Sequence, residues 1–158
     1  MAEPTKTELA EEISLDESLE AAREAIDKFL NNKFEEAYEI IEPKAENSIY
    51  HAMGYAVFKF LKAAMMFEEK QIQEASTVLE QALITIDKFR KKNGVMSSLG
   101  RLFWQTNYEN YTDLEVHAEL CFAEVLLLKS VLNLIEDHSL MSFVKAGMKV
   151  RHRLRLEF

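Results

Sequence analysis

The strongest constraint on this chain is a pattern that occurs twice. Lys33-Phe34-Glu35-Glu36-Ala37 and Gln71-Ile72-Gln73-Glu74-Ala75 each place a large apolar residue three positions before an alanine. The alanines lie 38 positions apart (37 to 75), and four residues beyond each stands another large apolar side chain, Ile41 or Leu79. Steps of three and four put the three residues of each copy on one face of an α-helix. A small residue there lets a neighbouring helix come close, and the large ones plug the space beside it. A unit recurring at this period is a pair of helices that cannot bury its own apolar face and must stack on the next pair.

Turn and cap signals divide the chain in the same way. Ser14-Leu15-Asp16-Glu17 has the form of a capping box, and Leu15, Leu19, Ala22, Ile26, Phe29 and Leu30 trace the stripe of a first helix. Asn31-Asn32 stops it, and Asn32 is expected to cap a second helix, which Pro43 closes. Ser48 opens a third helix to about Phe67. A fourth runs from Glu68-Glu69 to about Lys92, with Lys88, Arg90, Lys91 and Lys92 at its negative end. Gly54 inside the third helix costs about 1 kcal/mol against Ala, so its presence implies a neighbour at close range. Thr112-Asp113-Leu114-Glu115 is a second capping box, and Val116, Leu120, Ala123, Leu127, Val131 and Leu134 follow on one face of a fifth helix to about Ile135. Leu140, Phe143, Val144, Gly147 and Met148 begin a sixth.

The expected organisation is a flexible acidic leader over residues 1–13 and a helical repeat domain over 14–151. A hydrophobic and aromatic insertion interrupts the domain at 93–111, and an atypical basic tail follows at 152–158. The expected fold is all-α, with antiparallel helix pairs stacked as a short superhelical array. Composition agrees: four Gly and two Pro in 158 residues are too few for the corners of an all-β fold. Residues 1–46 hold 14 acids and five bases, a net charge of −9, and the remainder carries +1. So acidic a third repels nucleic acid phosphates, which excludes DNA or RNA as a primary ligand. The single Cys121 cannot form an internal disulfide, which points to a reducing, cytoplasmic setting. The N-terminus is acidic where a signal peptide needs a basic and then an apolar region. The most apolar stretches, Tyr55–Phe67 and Cys121–Ile135, are broken by Lys59, Lys62, Glu124 and Lys129, short of the 18 or so uninterrupted apolar residues of a membrane span.

Chemistry is sparse by comparison. The sequence has no Gly-rich phosphate loop, no GxSxG and no HExxH, so no catalytic, cofactor-binding or metal residue is assigned. His117, Cys121 and Glu124 sit at steps of four and three and could share a helix face. Without a second ligand pair, a buried structural cysteine is the simpler reading. Met65-Met66 reads as a pliable patch of core. In the insertion, Val95, Leu99, Leu102 and Phe103 are spaced as a short amphipathic helix ending at Trp104. That segment is either a lid over neighbouring helices or a docking element for a partner or a lipid surface.

The small residue in the second helix resembles the tetratricopeptide repeat, although the large aromatic which that repeat carries early in its first helix is not evident here. Five segments resemble the N-terminal region of the tetratricopeptide repeat protein 39 family, which includes the fungal inclusion-body clearance proteins. They are FLNNKFEEA (29–37), YHAMGYAVFKFLKAAMMFE (50–68), KFRKKN (88–93), EVHAELCFAE (115–124) and SFVKAGMKVR (142–151). The resemblance implies a helical repeat scaffold without catalytic activity, in a family connected with lipid handling, lipid droplets and the turnover of partner or misfolded proteins. Family members continue past Arg151 with further helices, so the ending HRLRLEF is expected to mark a truncated or alternatively terminated form.

The function expected is a protein-interaction scaffold that binds other proteins on the face lined by the first helices of each pair. Lys59, Lys62, Glu119 and Lys129 are candidate contact residues there, and Leu99, Phe103 and Trp104 are candidates in the insertion. A cytoplasmic protein docked peripherally on lipid droplets or membranes through residues 95–104 is the alternative. A self-associating helical fragment is the third reading.

Overall fold

The computed structural model describes residues 14–91 and 111–136, together with Ser142. Their helices are α1 (Leu15–Leu30), α2 (Phe34–Ile41), α3 (Ile49–Met66), α4 (Glu69–Asp87) and α5 (Asp113–Glu136), with a 3₁₀ turn at Glu42–Lys44 carrying Pro43. Both capping boxes form. Glu17 N–H donates to Ser14 Oγ (3.2 Å) while Ser14 N–H donates to Glu17 Oε2 (3.1 Å). Glu115 N–H donates to Thr112 Oγ1 (3.3 Å) while Thr112 N–H donates to Glu115 Oε2 (2.9 Å). Each box satisfies two donors that the first turn of a helix otherwise leaves open.

Short turns fold α2 back on α1 and α4 back on α3. The pairs then stack: α3 packs against both α1 and α5, α2 packs on α3, and α4 packs on α5. The second helix of one pair thus lies against the first helix of the next, so the architecture is an all-α array of helix-pair repeats. Among the described residues there is no strand, and no helix is long and apolar enough to cross a membrane.

The repeated residues carry the stacking. Ala37, Ile41, Ala75 and Leu79 are all fully buried. Gly54 answers Ile41: a Cβ on Gly54 would stand 3.3 Å from Ile41 Cδ1. Next to this seam Phe58 stacks on Phe29, with centroids 4.3 Å apart and planes within 10°, and Tyr38 meets Phe58 edge-on at 5.8 Å. One aromatic cluster therefore joins α1, α2 and α3.

Several local expectations are corrected. Asn32 does not cap α2; it takes a left-handed conformation (φ 63) inside the turn, and Lys33 stands at the cap without a side-chain bond. Helix α3 ends where expected, at Met66 with Phe67 turning left-handed as its cap (φ 52). Helix α4 stops at Asp87, where the amides of Lys88, Phe89 and Arg90 bond three residues back and tighten the chain out of the helix. Ser48 begins α3, but its hydroxyl meets His51 Nδ1 (2.9 Å). Helix α1 buries Ser18, Ala22, Ala25 and Phe29 while Leu30 faces outward. The largest correction is in α5, whose buried face is Ala118, Cys121, Val125 and Leu132; Val116, Leu120, Leu127, Val131 and Leu134 point away from the core. The leader, insertion residues 93–110, the sixth helix apart from Ser142, and the tail lie outside the described residues.

Inside α3, the buried His51 Nε2 meets no hydrogen-bond partner among the described residues. Burial, with Lys44 adding to it, holds this imidazole below its ordinary 6.5. The unfolded chain therefore takes up a proton near pH 6.5 that the folded chain refuses. Stability is complete above that value and falls as pH drops through it. Glu36 and Glu74, both held below 4.5 by lysine partners, lose their contribution only at lower pH. Urea unfolding at pH 7.5 and 5.5 should show a loss on acidification that His51→Leu removes; an equal loss in both proteins contradicts the assignment. In the same assay Gly54→Val should cost about 1–3 kcal/mol through overpacking against Ile41. Gly54→Ala, whose methyl needs only a small shift of that side chain, should stay within about 1 kcal/mol of wild type; an unchanged midpoint for Gly54→Val would show that the seam is loose.

Candidate functional site

A helical surface built this way is mostly committed to holding itself together, and the polar candidates show it. Lys59 Nζ lies 2.5 Å from Glu74 Oε1, tying α3 to α4, and 5.4 and 5.2 Å from the Tyr38 and Tyr55 ring centres. Burial depresses the Lys59 ammonium, but the Glu74 bond and the two tyrosines outweigh it and the net shift is upward. Glu119 accepts from Arg90 Nε and Nη2 (3.1 and 2.9 Å), joining α5 to the end of α4. The same guanidinium lies 3.9 Å from the centre of the Phe122 ring. Lys129 bonds Glu80 at 2.7 Å, again α5 to α4. Three of the four described candidates therefore act as ties between helices. Lys62 is different: among the described residues no carboxylate lies within ion-pair distance of it. Leu99, Phe103 and Trp104 lie outside the described residues.

Lys62 stands on the rim of a groove of about 300 Å³, lined also by Phe29, Phe34, Glu35, Tyr38, Met65 and Met66. Three elements build it at one pole of the array: the C-terminal ends of α1 and α3 and the N-terminal turns of α2. Phe34 meets Phe29 edge-on at 4.9 Å and forms a wall. Met65, 66% exposed, and Met66, 45% exposed, lie in water, so this pair is surface and not the core patch expected. Methionine has an unbranched, polarisable side chain that conforms to varied apolar shapes. The groove thus combines a rigid aromatic floor, a pliable rim and single charges of opposite sign at Lys62 and Glu35. A hollow of about 360 Å³ between α3, α4 and the 3₁₀ turn offers mainly small and polar side chains, with Glu42, Glu46 and Lys88 among them.

The sequence left one signal for this groove. Phe34 and Ile72 hold equivalent places in the repeat, yet Ile72 is 3% exposed and Phe34 38%. An aromatic at the first-pair position extends beyond what its neighbours can cover.

The residues that looked most like chemistry are structural. The Tyr50 hydroxyl lies 2.5 Å from His117 Nδ1, joining α3 to α5. Burial pushes Tyr50 up to about 12, with Cys121 and Glu124 adding to it. Burial likewise pushes the Cys121 thiol up to about 11, with Glu124 adding, so the thiolate needed of a nucleophile or metal ligand is scarce at neutral pH. Among the described residues no group of three His, Cys, Asp or Glu side chains could hold a metal ion.

Residues 23–154 match the family model described as Iml2/Tetratricopeptide repeat protein 39. Tetratricopeptide repeat protein ttc-39B of Caenorhabditis elegans is 32% identical over 123 residues, covering 78% of this chain and 21% of that protein. The chain thus spans about a fifth of the length of this curated relative. No solved structure matches.

Proposed function

The chain belongs to the Iml2/tetratricopeptide repeat protein 39 family, and from that premise we propose that it is a non-catalytic protein-interaction scaffold. It holds a segment of a partner protein in the groove at the pole of the first two helix pairs. One observation carries this reading: Phe34, Met65 and Met66 stay in water around a preformed apolar groove whose lysine, Lys62, makes no ion pair among the described residues, while Lys59 one turn away is tied to Glu74. An apolar surface of that kind is costly in water unless something covers it. A partner segment bearing one or two large apolar side chains fits the floor, and an acidic group beside them meets Lys62. Elsewhere the interhelical ties keep the helices in register, so the groove is formed before a partner arrives and binding loses little to reorganisation.

Met65→Asp with Met66→Asp is the direct test, since both side chains are on the surface and helicity should not change. Affinity capture with the wild-type chain, analysed by quantitative mass spectrometry, should recover proteins that the double variant loses. A variant altered at Glu20, exposed in the first half of α1 and away from the groove at its C-terminal end, should retain them. The same capture set with and without the two methionines would contradict the proposal, whatever the circular dichroism spectrum shows.

A further inference from the structure

Among the described residues, sulfur is distributed unevenly between core and water. Cys121 is 1% exposed and burial holds its thiol up at about 11, so it offers an oxidant neither access nor a thiolate. Met53 is half-buried against the core. Met65 and Met66 are the exposed ones, and both line the groove beside Phe29, Phe34 and Tyr38. A thioether sulfur keeps its electron pair at any pH and needs no deprotonation before it reacts, so access selects these two. Lys62 stands three and four residues before them on the same helix, which puts all three on one face of α3. The buried side of that helix, Ala56, Phe58 and Ala63, is elsewhere. Oxygen added to the methionines therefore alters the groove and leaves the packing of the array intact.

On the reading that this groove is the partner site, we propose that Met65 and Met66 are a redox modification site, where a hydroperoxide forms methionine sulfoxides and so closes the groove to its apolar partner. In each step the sulfur electron pair attacks one oxygen of hydrogen peroxide, and the S–O bond forms as the O–O bond breaks. The sulfur gives up two electrons, and the departing hydroxide takes the proton of the transferred oxygen and leaves as water. A methionine sulfoxide reductase reverses the step: a dithiol returns the two electrons, becomes a disulfide, and the oxygen is released as water. The effect on binding follows from the new oxygen. It is a hydrogen-bond acceptor on a rim that had been apolar, and covering it with an apolar side chain strips it of water without supplying a donor. Lys62 can donate to it from one turn earlier, which draws that ammonium away from the acidic group of a partner. Oxidation thus removes the pliable apolar rim and the local charge together.

The probe for the test is anilinonaphthalene sulfonate, whose aromatic rings suit the floor and whose sulfonate suits Lys62. Fluorescence titration of the full chain assigns to the groove the binding that Met65→Asp with Met66→Asp loses. Brief treatment with hydrogen peroxide should add one oxygen to Met65 and to Met66 ahead of Met53, read by peptide mapping. It should weaken that binding about tenfold and leave the circular dichroism spectrum unchanged. Methionine sulfoxide reductases for both sulfoxide epimers, supplied with dithiothreitol, should restore it. In Met65→Leu with Met66→Leu, whatever its starting affinity, the same treatment should produce no further change. Two outcomes would overturn the switch and leave the groove standing: both sulfoxides formed with wild-type binding unaltered, or an equal loss in the leucine variant. Oxidation of Met53 before Met65 and Met66 would overturn their selection as the site. Probe binding as strong in the aspartate variant as in wild type would overturn the groove reading, and the switch with it.

Discussion

The arrangement depends on how close other helices can come to α3. That helix touches every other described element, α1, α2, α4, α5 and the 3₁₀ turn. A cylinder of ordinary side chains could not accept so many neighbours at short range. Helix α3 manages it by presenting Ala52, Gly54, Ala56 and Ala63, all buried, to the surrounding helices. The partners answer with one large side chain where α3 offers a small one, as Ile41 does over Gly54. Dispersion contacts at this density are individually weak and collectively decisive. Phe58, fully buried among Phe29 and Tyr38, is the counterpart on α3 where it supplies the bulk instead.

Stacking by this rule fixes where surface is left over. An interior helix is covered on all sides, while the first and last helices of the described array are covered on one. On α1 and α2 the remainder is the aromatic floor around Phe29 and Phe34, extended by the methionines at the end of α3. On α5 it is a complete second apolar face. Charge is spent differently. The links Lys28–Glu36, Lys59–Glu74 and Lys129–Glu80 each join two helices, and Arg90–Glu119 ties α5 to the chain just past α4, so these charges set register.

The repeat and its burial were legible in the sequence because small and large residues at fixed spacing have one physical use in a helix. Ala37, Ile41, Ala75 and Leu79 occupy the places their spacing demands, and Gly54 faces a neighbour as its cost implied. Both capping boxes were legible for the same reason, being local chemistry within four residues. What spacing left unread is which of two apolar faces turns inward. Helix α5 has leucines and valines on opposite sides, and only its neighbours decide; the side with Ala118 and Cys121 wins because small residues allow closer approach to α3 and α4. The charged candidates illustrate a related limit. Lys59 and Lys62 lie three residues apart on one helix, yet Glu74 bonds the first, and among the described residues no carboxylate comes within ion-pair distance of the second. That difference belongs to the fold of α4 against α3, not to α3 itself.

Native-state amide hydrogen exchange measures the hierarchy directly. If α3 is the element on which the others depend, the amides of Ala56 and Phe58 should exchange only through global unfolding and be the slowest in the chain. Those near the start of α1 and the end of α5 should open earlier through local fluctuations. Exchange in α3 as fast as in α1 or α5 would contradict the account, because the array would then be held together by its outer pairs and not by the helix between them.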